Sequence, residues 1–237
     1  MLFINYYLLT INYQLVKGVK TMTTFIRRML YILFAIVTIS GGIMFFSGAS
    51  DCYKIVFNQP LDLNDVDSSK FTDGELVSGD VYYVIDSIAT SYSTELFNKT
   101  KTIYYLVPIK SGKYILVASG NTTEINTFDR IFQQTCQYLN KEIEDTLTSI
   151  NIDGKIFPVD ENLKELLYSW AESTNYFSTT DKSAIDEEVL PYVVCTQNWS
   201  NIKSITISGL ITLIVGIVGI IVVKIVSKRL ISKELNS

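Results

Sequence analysis

The sequence predicts an α+β protein. Two transmembrane helices flank one extracytoplasmic domain, built on a small antiparallel sheet or partly closed barrel with two packed amphipathic helices. Three observations predict it. Residues 204–223 are twenty residues without a charge, and roughly twenty helical residues cross the hydrocarbon core of a bilayer. Residues 29–46 form a second uncharged apolar run, preceded by Arg27 and Arg28. Between the runs the pattern alternates between β-rich stretches and stretches with helical spacing.

Residues 1–28 read as a cytoplasmic segment. Residues 1–21 show no sustained periodicity, and Met22 opens a polar lead, two arginines and an apolar run. Met22 therefore reads as the start of translation, with residues 1–21 an over-called frame. An ordinary cytoplasmic tail is the alternative. The run 29–46 is longer than the ~7–15 residues of a signal peptide's apolar region, which favours an uncleaved anchor. Ser47-Gly48-Ala49 still resembles a cleavage site, so a removed signal stays open.

Charge orients the chain. The two flanks hold eight of the twenty Lys/Arg and one of the twenty-four Asp/Glu. Residues 50–203 hold the other twelve bases and twenty-three acids, a net charge of −11. Positive flanks stay in the cytoplasm. Both termini, including the basic tail 224–237, are expected inside the plasma membrane, and the domain of residues 50–200 outside. An acidic domain repels phosphates, so no nucleic-acid partner is expected.

Neither span carries an Asp, Glu, Lys or Arg, which speaks against an ion route within the membrane. Thr38 and Gly42 share one helix face, as do Ser208, Thr212 and Gly216, and small residues at this spacing let helices approach closely. The expected partners are the bilayer and either the chain's own other span, a second copy or another membrane protein.

In the domain, residues 51–58 read as a strand leaving the membrane. Asp62, Asn64, Asp65 and Asp67 follow in a turn-rich stretch. Val66 stands where a calcium loop needs a third ligand, so a solvated acidic loop is the reading. Residues 81–92 read as one long β run. Residues 102–109 and 113–119 form a hairpin through Lys110-Ser111-Gly112, with Pro108 marking an edge or bulge. Residues 122–144 shift to helical spacing, capped by Thr122 or Thr123, with Ile125, Phe128, Phe132, Leu139 and Ile143 on one face and Cys136 inward. Residues 147–159 read as a short hairpin turning at Asp153-Gly154. Asp160 caps a second helix with Leu163, Leu166, Leu167 and Trp170 inward. Residues 172–188 read as polar connection, and 189–196 as the last strand.

The segments ELVSGDVYYVID, YYLVPIKSGKYILV, GKIFPVDENLKELLYSW and EVLPYVVCT lie in order between the apolar runs. Over residues 25–230 the chain resembles a family of uncharacterised two-span membrane proteins of low-GC Gram-positive bacteria. The resemblance implies a plasma-membrane location and a large extracytoplasmic domain. It implies no activity, cofactor or catalytic residue.

Chemistry is narrowly bounded. The chain has no histidine, which removes Ser-His-Asp, Cys-His and imidazole-metal sites. Its three cysteines are far apart, so no metal or cofactor is expected. Cys52 and Cys195 flank the domain and either pair as a disulfide or remain buried thiols. Tyr82-Tyr83 and Tyr104-Tyr105 put one ring on either side of a strand, where the outward rings can line a glycan or peptide groove or simply favour the strand. Asp86 is the single acid inside an apolar run. The expectation is a non-enzymatic binding or scaffold protein of unknown ligand. The alternative is an accessory subunit of a membrane transporter or signalling complex.

Overall fold

The computed structural model describes residues 2–64, 71–95, 98–144, 148–178 and 181–235, with side chains at 24–64, 71–93, 100–144, 148–178 and 181–228. The chain divides into two compact units, one of Met1–Cys52 with Ser200–Ser237, the other of Tyr53–Trp199.

In the first unit, helix α1 (Leu2–Phe57) meets helix α5 (Trp199–Leu235). Both contain stretches long and apolar enough to cross a membrane, Thr24–Phe57 and Trp199–Lys228. Their aliphatic side chains stay outward: Ile36, Ile43, Ile211 and Val215 are each more than half exposed. A helix buried in a soluble core would hide such groups. The faces that meet are made of small residues. Gly41 abuts the backbone of Leu213. A Cβ at Gly209 would lie 2.6 Å from the nitrogen of Phe45, and one at Gly216 would lie 2.7 Å from that of Thr38. Gly219 abuts the ring of Phe34, and Thr206 faces Gly48.

The structure thus places Thr38 against Gly216, with Thr212 close to Gly41. It places Ser208 on the exposed side. A methyl at Gly42 would touch only Leu213 Cδ1, at 3.9 Å. The small-residue seam on α5 passes through Thr206, Gly209, Gly216 and Gly219 rather than through Ser208. Equal spacing by four drifts around a helix, whereas steps alternating between three and four hold one face.

Helix α1 is continuous from residue 2 through the aperiodic start and through residues 51–57. The strand expected at 51–58 is therefore a helix. No proline or adverse glycine cluster follows residue 48 to stop propagation, which proceeds at low cost once a helix is nucleated. Asn58 and Pro60 end it. Lys54 stands in the last turn, where a cation suits the dipole.

Among the described residues the second unit contains seven strands: β1 (Leu61–Asp62), β2 (Leu76–Val81), β3 (Asp86–Glu95), β4 (Asn98–Pro108), β5 (Tyr114–Ser119), β6 (Ile150–Pro158) and β7 (Val189–Thr196). They form one sheet in the order β1-β2-β6-β7-β5-β4-β3. The sheet is mixed, which corrects the antiparallel expectation: β1 pairs with β2 and β5 with β7 in parallel. The β5–β7 pair needs a long crossover, supplied by α2 (Thr122–Leu139), β6 and α3 (Glu161–Thr174).

Alternation along β5 assigns the two faces. Ile115 and Val117 point to one core with Phe128 and Ile131 of α2. Leu116 and Ala118 point to a second core with Leu163, Leu167 and Ala171 of α3. Helix α4 (Lys182–Glu188) adds Ile185 to the second core, inside the stretch read as plain connection. The arrangement is three layers, helix on sheet on helix.

The sheet also curls. Val81 and Asp86 are five residues apart, a reach of at most about 18 Å. Strands β2 and β3 stand five positions apart, about 24 Å in a flat sheet. The connecting Val84 lies fully buried in the α2-side core, so the sheet bends around α2. This connector is also why residues 81–92 are not one strand.

The hairpin at 102–119 forms as expected, with Gly112 at φ +80°. Pro108 ends β4, beyond the last pairing with β3 at Leu106, where its missing N–H costs nothing on that side. Asp153-Gly154 is not a turn but lies inside β6. A Cβ on Gly154 would lie 2.5 Å from Val194 Cγ1 and 2.9 Å from the carbonyl oxygen of Cys195. Here glycine serves close packing against β7, not positive φ.

Candidate functional site

An apolar cleft of about 350 Å³ opens where the connector between β2 and β3, the end of α2 and the loop after α3 converge. Its lining includes Tyr83 and Ile85 from the connector, Thr135 and Tyr138 from α2, and Tyr176. Local sequence explains each placement. Asn121 caps α2, its side chain accepting from the N–H of Thr123 at 2.9 Å, in place of the expected Thr122 or Thr123. The helix then ends at Leu139, short of the expected Glu144, with Asn140 as its C-cap. Glu124 fixes the helix start to the sheet by accepting from Ser119 Oγ at 2.6 Å and Thr196 Oγ1 at 2.7 Å.

That anchoring turns Phe128, Ile131 and Thr135 inward and leaves Leu139 and Tyr138 outward at 62% and 37% exposure. Thr135 Oγ1 donates to the carbonyl of Ile131 at 2.8 Å and accepts from the N–H of Val84 at 3.2 Å. This one buried hydroxyl ties the connector to α2. Asn175 sits in the left-handed region and ends α3, releasing Tyr176 toward the cleft.

The rings form two sets. Tyr83 and Tyr138 lie 5.7 Å apart between centroids, and Trp170 and Tyr176 lie 5.6 Å apart. The hydroxyls of Tyr114 and Tyr176 share a hydrogen bond of 3.1 Å. Asp86, the acid singled out in the apolar run, opens β3 and accepts from the Trp170 indole N–H at 2.8 Å and from the Ser87 N–H at 2.7 Å. It partners an indole, not a lysine.

Burial, then the hydrogen bond with Tyr114, holds the Tyr176 phenol well above the ordinary tyrosine value. Burial and, after it, the charge of Asp86 push up the thiol of Cys136. A thiol held protonated is a weak nucleophile. Cys136 is exposed, against the expectation that it packs inward, because the inner positions of α2 fall at 128, 131 and 135.

Cys52 is a partly buried free thiol in α1, and Cys195 a partly buried free thiol in β7, its acidity lowered by burial. The second tyrosine pair divides between the two sheet faces. Tyr104 lies on the α3 side, while Tyr105 is buried against Phe128 and donates to Asp129 Oδ1 at 2.9 Å.

A second, polar cleft of about 490 Å³ lies on the other side of the connector and includes Asp62, Ser78, Asp80, Tyr82, Lys110 and Asn151. Its donors serve neighbouring acceptors. Asn151 Nδ2 donates to Asp80 Oδ1 at 2.9 Å, Tyr82 to Asp80 Oδ2 at 3.3 Å, and Asn64 Nδ2 to the Asp80 carbonyl at 2.8 Å. Asp65 and Asp67 of the acidic loop lie outside the described residues. Among the described residues no group of three or more His, Cys, Asp or Glu could hold a metal ion.

The strand expectation holds for Tyr104 and Tyr105 but not for Tyr82 and Tyr83, which lie in the connector between β2 and β3, and sequence reasoning missed Tyr138, Tyr176 and Thr135 as cleft residues. They come from three segments that only the curled sheet brings together, and no spacing marks them.

No curated protein matches the chain. A family model described as a domain of unknown function, DUF8577, matches residues 20–228, spanning the domain and both apolar stretches almost entirely. The chain belongs to that family.

Proposed function

We propose that this chain is a two-span protein of the plasma membrane, with both termini cytoplasmic and the domain of Tyr53–Trp199 outside. There the domain serves as a non-enzymatic binding or scaffold module. The charge partition supports the orientation: bases flank the apolar helices and acids fill the domain. The observation that carries the binding reading is the aromatic-lined cleft, a few hundred Å³ in volume and open to solvent.

The test is ligand binding by the full chain in maltoside micelles. The fluorescence of Trp170, which packs at a tilt against Tyr176, reports binding of glycans, short peptides and small amphiphiles. Saturable quenching that is lost in Tyr176→Ala supports the reading. Quenching by no class, or quenching indifferent to that substitution, counts against it.

A second reading is an accessory subunit of a membrane transporter or signalling complex. Ser204 and Ser208 are exposed on α5, on the side turned away from the seam, where small residues can receive another helix. Crosslinked pulldown from native membranes, giving one stoichiometric membrane partner, favours that reading.

A further inference from the structure

We propose that the aromatic cleft binds a small organic cation, a quaternary or fully alkylated ammonium, among the rings of Tyr83, Tyr138 and Tyr176 and beside the carboxylate of Asp86. This rests on the binding reading above and names its ligand class.

Three observations converge. First, the cleft lining supplies three phenol rings, two aliphatic side chains, one proline and a threonine, and no basic residue among those described. An ammonium stripped of N–H groups needs no hydrogen-bond acceptors, and an aromatic face attracts it through its quadrupole. A sugar would need several polar groups around the ring, and the lining offers few.

Second, two carboxylates, those of Asp86 and Glu188, lie close to the cleft. Asp86 directly follows Ile85 of the lining in sequence and bonds the indole of Trp170, which packs at a tilt against Tyr176. The Asp86 carboxylate is felt at Cys136, between Thr135 and Tyr138, and that of Glu188 at Tyr176. The whole stretch 50–203 carries −11, which draws cations and repels anions.

Third, the size fits. About 350 Å³ admits a head group the size of tetramethylammonium or choline. The polar cleft beyond Tyr82 is the lesser candidate, because its carboxylate and amides already bond one another.

The experiment is calorimetric titration of the full chain in maltoside micelles, which carry no choline groups. The titrants are tetramethylammonium chloride, choline and 3,3-dimethylbutan-1-ol, the uncharged shape analogue of choline. The expected result is saturable binding of both cations, with the alcohol weaker by about tenfold or more. Tyr138→Phe and Tyr176→Phe keep the rings and retain binding, whereas Tyr138→Ala and Tyr176→Ala lose most of it. Asp86→Asn, which preserves an acceptor for Trp170, weakens the cations several-fold and leaves the alcohol unchanged. Unaltered melting curves for the Phe and Asn variants establish that the fold is intact. Equal binding of alcohol and choline overturns the cation proposal while leaving a binding cleft. Absence of saturable binding by either cation overturns the proposal, and the wider ligand panel then judges the binding reading separately.

Discussion

Replacing Thr135 by valine removes one hydroxyl and keeps the side-chain volume. In the structure Thr135 is 2% exposed, and its hydroxyl is the acceptor for the Val84 N–H at 3.2 Å. Its own donation goes to the Ile131 carbonyl, an oxygen on the same helix. Valine therefore strands a backbone N–H in the centre of the α2-side core. An unsatisfied buried donor costs about 1–3 kcal/mol. For a domain of this size that is a Tm drop of roughly 2–12 °C. Serine at the same position keeps the acceptor and loses one methyl, about 1 kcal/mol.

Melting temperatures alone leave these ranges overlapping, so the discriminating assay is amide exchange at Val84. In Thr135→Val that amide exchanges ten- to a hundredfold faster, the rate equivalent of about 1.4–2.8 kcal/mol. In Thr135→Ser it stays protected. Because Tyr83 and Ile85 flank Val84 and line the cleft, ligand binding should weaken in the valine variant alone. Equal stability in the two variants, with Val84 exchange unchanged in both, would refute the claim that this hydroxyl holds the connector.

Four further outcomes follow from the geometry. Gly154→Ala forces a Cβ to 2.5 Å from Val194 Cγ1 and should cost about 1–3 kcal/mol by chemical denaturation, where a turn glycine with positive φ would show no such steric origin. Gly216→Ala, which drives a methyl into the Thr38 backbone, should lower the detergent-solubilised melting temperature clearly more than Gly42→Ala, which meets only Leu213 Cδ1 at 3.9 Å. Tyr105, Tyr168 and Tyr176 all hold their protons more tightly than free tyrosine, chiefly through burial, with Tyr168 pushed up to about 12. Their contribution to stability is therefore whole below about pH 10 and declines as pH rises through the folded values. Denaturation midpoints across that window should fall, and Tyr105→Phe should flatten the fall. Finally, alkylation of the unfolded chain without reductant should modify all three cysteines, since Cys52 and Cys195 are free thiols; a mass lacking two labels would restore the bridge between them.

Local patterns made much of this architecture legible. The alternation and Gly112 announced the β4–β5 hairpin, Asp160, Leu163 and Leu167 announced α3, and residues 189–196 match β7 residue for residue; Leu166, expected inward on α3, is half exposed. What stayed hidden depends on distant neighbours. Gly154 after an aspartate looks like a turn until Val194 is known to lie against it. The parallel pairing of β5 with β7 follows from a crossover that no local signal specifies. Residues 51–57 carry the β-favouring Tyr, Ile, Val and Phe, yet the preceding helix runs through them unbroken. The cleft was the least legible feature: single residues such as Tyr83, Tyr138 and Tyr176 have no shared period and meet only because the sheet curls around α2.

The central claim is that the acidic domain faces outward while both ends remain inside. Cys136 is the exposed cysteine of the domain and makes this testable directly. With Cys52 and Cys195 replaced by serine, intact cells are treated at mildly alkaline pH with a membrane-impermeant maleimide. Labelling of Cys136 on intact cells, unchanged by permeabilisation, is the predicted result. Labelling that appears only after the membrane is opened would place the domain in the cytoplasm and contradict the account.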